Sequence, residues 1–132
     1  VIVQLSVLPF LTKKFSEKTI LFISLIFLFL GLILVPLIPS PSFLYVSLFF
    51  LPFGFGLSNP TIQALASENV PKEEYGGTLG FLQSAGSLGR IIGPIIGGVV
   101  FEFFGKDNAF YLAGFIVLVI LVYSKLNLNE KT

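Results

Sequence analysis

One arginine stands inside an apolar stretch of this sequence. Arg90 lies within the run from Gly76 to Phe104. A guanidinium at such a depth in a bilayer costs about 2.5 kcal/mol or more on insertion scales. Three roles offset that cost: binding an anionic substrate group, pairing with a carboxylate that couples transport to protons, or pairing structurally with a carboxylate or carbonyls. The residues leave all three open. Gln83, seven positions earlier, projects from the edge of the same helical face. A second polar pair, Asn59 and Gln63, lies four apart beside Pro60. A proline kink frees carbonyls that can meet a ligand, and hydrogen bonding between helices is the alternative reading. Phe53 and Phe55 can stack on a drug-like ligand or fill a core.

Other chemistries are poorly served. Histidine and cysteine are both absent. Imidazole bases, thiol nucleophiles and the usual zinc ligands are therefore missing. No pair of carboxylates lies inside an apolar run, so an enzyme is not expected, and neither is a cofactor or metal. Glu68, Glu73 and Glu74 read as solvated or capping charges, as do Glu102 and Asp107. The net charge is +1. No basic face exists to neutralise phosphates, so nucleic acid is not an expected partner.

Composition dictates what must carry these residues. Of 132 residues, 55% are hydrophobic and 11% charged, and the mean hydropathy is +0.96. A soluble domain carries about 25% charged residues. Too few polar groups exist to cover a water-facing surface, so the lipid bilayer is an expected partner. The chain begins at Val1 and contains no methionine, which suggests part of a longer chain. Residues 1–11 then read as the end of a helix.

A bilayer core of about 30 Å needs about 20 helical residues. No charge occurs from Thr19 to Ser67, and Pro36, Pro39 and Pro41 divide that run. Helices are predicted over 19–38, 42–66, 76–104 and 108–124. A polar loop is predicted at 67–75 and a polar tail at 125–132. The expected fold is an all-α membrane protein with one partial and four whole transmembrane helices. Lys13, Lys14, Lys18, Lys72, Lys125 and Lys131 would share one side of the membrane, leaving Lys106 on the other. The excess of positive charge puts the first side, with loop 67–75 and the C-terminus, in the cytoplasm.

The spans differ in kind. Those at 19–38 and 108–124 are apolar nearly all round and suit lipid. The two between carry Pro52, Gly54, Gly56, Ser58, Asn59, Pro60, Thr61 and Gln63, then Gln83, Ser84, Ser87, Arg90 and Pro94. Polar groups and broken backbone must face protein or water. The middle spans are thus expected to line an interior and the outer two to wrap them. Gly86, Gly89, Gly93 and Gly97 form one stripe with two GxxxG steps. Close helix packing accounts for such a stripe. Phe81, Leu88, Ile92, Ile95 and Val99 cover the opposite side.

Here the residues meet a known pattern. The stretch Gly86-Ser87-Leu88-Gly89-Arg90-Ile91-Ile92-Gly93-Pro94-Ile95-Ile96-Gly97-Gly98 resembles the eleventh helix of major facilitator superfamily transporters, particularly the twelve-helix drug:proton antiporters. Val70-Pro71-Lys72-Glu73-Glu74-Tyr75-Gly76 resembles the cytoplasmic loop before that helix, and Gly54-Phe55-Gly56-Leu57-Ser58-Asn59-Pro60 resembles the tenth helix. Lys13-Lys14-Phe15-Ser16-Glu17-Lys18 resembles a degenerate basic loop between helices eight and nine. The pattern departs at Tyr75, where the family has Arg, at Lys13, where it has an acid, and at Ser16, where it has Gly. A Gly-Pro-x-x-Gly-Gly pattern also marks the fifth helix of antiporters, but the preceding span lacks the arginine of their fourth helix.

The resemblance implies a C-terminal part of a larger bundle, helices eight (partial) to twelve, with nine and twelve peripheral and ten and eleven near a central cavity. It implies alternating access by rocking of two six-helix halves, with proton-coupled efflux of a small amphipathic or drug-like molecule from a plasma (inner) membrane. Asn59, Gln63, Gln83 and Arg90 would then face the cavity. Gly86, Gly89, Gly93, Pro94, Gly97 and Gly98 would serve packing or gating, and the missing N-terminal half would be the partner. The rival expectations are a small self-contained bundle acting as an oligomer and a truncated product that transports nothing.

Overall fold

The computed structural model describes residues 7–37 and 41–129. Residues 1–6 of the expected helix end, the proline turn at 38–40 and the last residues, 130–132, lie outside the described residues. Regular structure among the described residues is helical: α1 Leu8–Thr12, α2 Glu17–Leu37, α3 Pro41–Glu68, α4 Tyr75–Phe104 and α5 Lys106–Asn129, with a 3-10 turn at Lys72–Glu74 before α4.

Local chemistry explains the boundaries. Ser16 precedes α2, and its Oγ accepts from the Thr19 backbone N–H at 3.4 Å. Its hydroxyl also lies 3.0 Å from the Thr19 Oγ1. Serine at this place satisfies an orphan donor of the first helical turn, a use for the residue that stands where the family pattern has glycine. At the far end of α4, Gly105 has φ 85° and ψ 164°, a region essentially closed to residues with a Cβ. Its N–H donates to the Phe101 carbonyl at 3.1 Å. This one residue separates α4 from α5, so the two helices double back on a minimal turn.

The helix starts fall within two residues of expectation, and two helices run on past their expected ends. α3 runs on to Glu68, into the segment read as loop. α5 continues past Ser124 to Asn129, so Lys125 is helical and does not begin a tail. No glycine or proline follows Ser124 to stop the helix, and Lys and Leu are good helix formers.

Among the described residues, three helical stretches are long and apolar enough to cross a bilayer: Glu17–Leu37, Lys72–Phe104 and Lys106–Asn127. α3 has 28 residues, long enough to cross a bilayer. It packs lengthwise on α2.

Among the described helices the order of packing is α3, α2, α5, α4. α2, the most apolar helix, sits between α3 and α5. Its Leu21, Leu25 and Leu28 form the buried cluster, closed by Leu51 and Leu65 of α3 and Val117 and Leu121 of α5. α4, expected to line an interior, has no buried residue; it leans on α5 and touches α3. The leucine row of α2 supplies ridges that two neighbours grip, while α4 leaves large side chains such as Ile91, Ile95 and Phe103 exposed.

Candidate functional site

α3 sorts its polar residues onto two faces. Ser47, Ser58 and Thr61 are buried, and Gly54 with them. Their spacing of seven, four and three places them on one stripe, which lies on α2. The hydroxyls answer to the backbone: Thr61 Oγ1 donates to the Leu57 carbonyl at 2.6 Å and Ser58 Oγ to Phe55 at 3.4 Å. On α2, Ser24 Oγ donates to Leu21 at 2.7 Å. Ser47 Oγ is buried and has no hydrogen-bond partner among the described residues. Gly54, Ser58 and Thr61 were expected to line an interior; they make the α2–α3 contact instead, because only small residues let these backbones approach.

The amide pair points elsewhere. Asn59 and Gln63 are exposed. Asn59 Nδ2 donates to the Phe55 carbonyl one turn back at 3.4 Å. The Gln63 carbonyl accepts from Ser67 Oγ at 2.9 Å.

On α4, Gln83 and Arg90 are exposed as well. Arg90 folds back along its own helix, and its Nε donates to the Gly86 carbonyl at 3.3 Å. Among the described residues no carboxylate pairs with it. Ser84 and Ser87 donate to the Gly80 and Gln83 carbonyls, each at 2.9 Å. Every side-chain hydrogen bond on this helix is thus local. The structure brings Gln83 and Arg90 to one face and Asn59 and Gln63 to another, and no hydrogen bond among the described residues joins the two pairs.

The glycine stripe has no neighbour. A Cβ added at Gly89, Gly93, Gly97 or Gly98 would meet nothing within 4 Å, and at Gly86 only the Arg90 guanidinium, at 3.7 Å. Pro94, Gly97 and Gly98 border a shallow apolar groove of about 370 Å³, with Phe101, Leu32 of α2 and Ala109 of α5. Close approach occurs instead at Gly31, Gly54 and Gly114, whose Cβ positions would collide with Leu51, Leu28 and Ile33. Isolated glycines carry no periodic signal, so the sequence alone did not single out Gly31 or Gly114.

Phe53 belongs to an aromatic cluster with Phe27, Phe49 and Phe50, with ring centroids 4.6–6.0 Å apart. Phe55 is 60% exposed and outside it. Among the described residues, no three His, Cys, Asp or Glu side chains group as metal ligands would.

Comparison with known proteins agrees with this architecture. The chain is 26% identical over 120 residues to a multi-drug resistance efflux pump PmrA homolog of Lactococcus lactis, covering 91% of this chain and 30% of that protein. It is 33% identical over 123 residues to the staphyloferrin B transporter of Staphylococcus aureus, covering 92% of the chain and 29% of that protein. It is 36% identical over 93 residues to the MFS-type transporter YuxJ of Bacillus subtilis, covering 64% of the chain and 24% of that protein. The chain thus spans less than a third of the length of these relatives. No solved structure matches it. Residues 2–131 match the family model described as Major Facilitator Superfamily, and the chain, an all-α integral membrane protein, belongs to that family.

Proposed function

We propose that this chain is the C-terminal part of a secondary transporter that moves a small molecule across a plasma (inner) membrane by alternating access, as a proton-coupled exporter of amphipathic or drug-like compounds. The observation that carries the reading is the open face of α4. A helix long and apolar enough to cross a bilayer presents Gln83, Gly86, Gly89, Arg90 and Gly93, and nothing in the bundle covers them. Lipid cannot satisfy a guanidinium and an amide, so this face meets protein or water. The rest of the same transporter is the partner that covers the glycines, and the water-filled cavity between the two halves of the whole protein receives Gln83 and Arg90. Asn59 and Gln63 on α3 contribute from the neighbouring helix. In this arrangement the C-terminus and loop 67–75 lie in the cytoplasm, by the distribution of lysines.

The names of two relatives, a multi-drug resistance efflux pump homolog and a staphyloferrin B transporter, support transport of a small molecule. The absence of His and Cys from the sequence leaves this part of the protein without the usual catalytic bases and nucleophiles, so its role is transport and not catalysis. Proton-carrying carboxylates do not occur deep within the described helices, so in this reading the coupling group belongs to the rest of the transporter.

The test is efflux of a fluorescent amphipathic dye from cells producing the full-length protein. Arg90→Gln is expected to reduce efflux at least tenfold at unchanged membrane abundance. Full efflux by that variant would remove Arg90 from the mechanism. No efflux of any compound by the wild-type protein, or assembly of the chain alone into a transporting oligomer, would overturn the reading as a whole.

A further inference from the structure

A second groove lies away from the proposed transport face, between α2 and α5. It has a volume of about 370 Å³ and is lined by Phe22 and Ile26 of α2 and Leu121 and Lys125 of α5. The two helices run antiparallel, so the groove sits at the end of the bundle where α2 begins and α5 finishes. Lys18, Phe22 and Ile26 follow one another at steps of four along one face of α2. Leu121 and Lys125 do the same on α5. Lys125 therefore marks the outer end of a groove whose other walls, Phe22, Ile26 and Leu121, are apolar. From Lys18 to Ile26 the rise is about 12 Å, the reach of the upper part of an acyl chain.

We infer that this groove binds one anionic phospholipid, with an acyl chain between Phe22, Ile26 and Leu121 and the phosphate-bearing headgroup on Lys125. The argument is one of complementarity. α2 and α5 are membrane-length helices, so a groove between them lies at a depth where lipid can reach it. Its apolar walls suit a hydrocarbon chain. Lys125 is exposed at the mouth, where a flexible stem can carry an ammonium to the headgroup level. Basic pockets between helices at a membrane face are sites where anionic headgroups settle. A cationic drug would be repelled by Lys125, and a free phosphate would leave the apolar walls unfilled. The inference rests on α2 and α5 spanning a membrane and not on the transport reading.

The experiment is native mass spectrometry of the full-length protein after delipidation, with phosphatidylglycerol or phosphatidylcholine of identical acyl chains added in equal amounts. The wild type is expected to retain phosphatidylglycerol at least threefold more than phosphatidylcholine. Lys125→Gln is expected to bring the two to parity and Lys125→Arg to keep the preference, which also shows that the site is folded. Ile26→Trp, which fills the groove, is expected to lower retention of both lipids. Equal retention of the two lipids by the wild type, or an unchanged preference in Lys125→Gln, overturns the proposal. So does displacement of phosphatidylglycerol by millimolar glycerol phosphate, which would assign the site to a free phosphate group.

Discussion

Gly54 of α3 rests directly on Leu28 of α2. A Cβ placed on Gly54 would lie 2.8 Å from the Leu28 backbone nitrogen and 2.9 Å from the Ser24 carbonyl oxygen. Two of the obstructing atoms are main chain and cannot rotate away. Gly54→Ala must therefore push the helices apart, and overpacking of this kind costs about 1–3 kcal/mol. A lowered melting temperature is expected in size-exclusion thermal scans of the full-length protein. Gly77→Ala, whose added methyl meets nothing within 4 Å, is the control and is expected to hold or raise stability.

Ser47 is 2% exposed and its Oγ has no partner among the described residues. An unsatisfied buried hydroxyl carries a desolvation cost of about 1–3 kcal/mol. Ser47→Ala removes the hydroxyl at nearly constant shape and is expected to raise the melting temperature. Thr61→Val changes equally little volume but deletes the 2.6 Å bond to Leu57, so it is expected to be neutral or destabilising. If both variants shifted in the same upward direction, Ser47 would have nothing special about it.

The turn between α4 and α5 depends on one residue. Gly105 alone among the described residues has positive φ, and its φ and ψ lie where a side chain costs about 1–3 kcal/mol. Gly105→Ala is expected to loosen the α4–α5 hairpin, read as faster protease cleavage near Lys106. Unchanged cleavage would show that the turn adapts.

Arg90 is tied to Gly86 by its Nε, which leaves the terminal guanidinium nitrogens for another group. Arg90→Lys keeps a positive charge but loses both the tether and the planar fork. If Arg90 meets an anionic group, Arg90→Lys is expected to retain a measurable part of the efflux that Arg90→Gln loses. Equal loss in both variants would point to geometry and not charge as what the residue supplies.

The candidate site was legible in part. Gln83, Arg90 and the glycine stripe share a face because helical periodicity fixes angular position from spacing alone, and the structure leaves that face open. The close contacts at Gly31, Gly54 and Gly114 were not legible. Each depends on a residue from a different helix, and one glycine among many apolar neighbours has no spacing to betray it. Ser58 and Asn59 make the same point: they are adjacent in sequence and polar alike, yet one is buried against α2 and the other exposed.

The sequence by itself determined that this chain is helical and resides in a membrane. A bilayer offers the backbone no water, and apolar runs of about 20 residues without the alternation of a barrel strand meet that demand as helices, so composition and run length decide the matter locally. Only the tertiary structure decided that α2 is the innermost helix of the described bundle, that α3 turns its hydroxyls and not its amides to α2, and that Lys125 joins Phe22 and Ile26 at one groove. Those outcomes depend on how ridges of one helix fit the gaps of another, and no single helix carries that information.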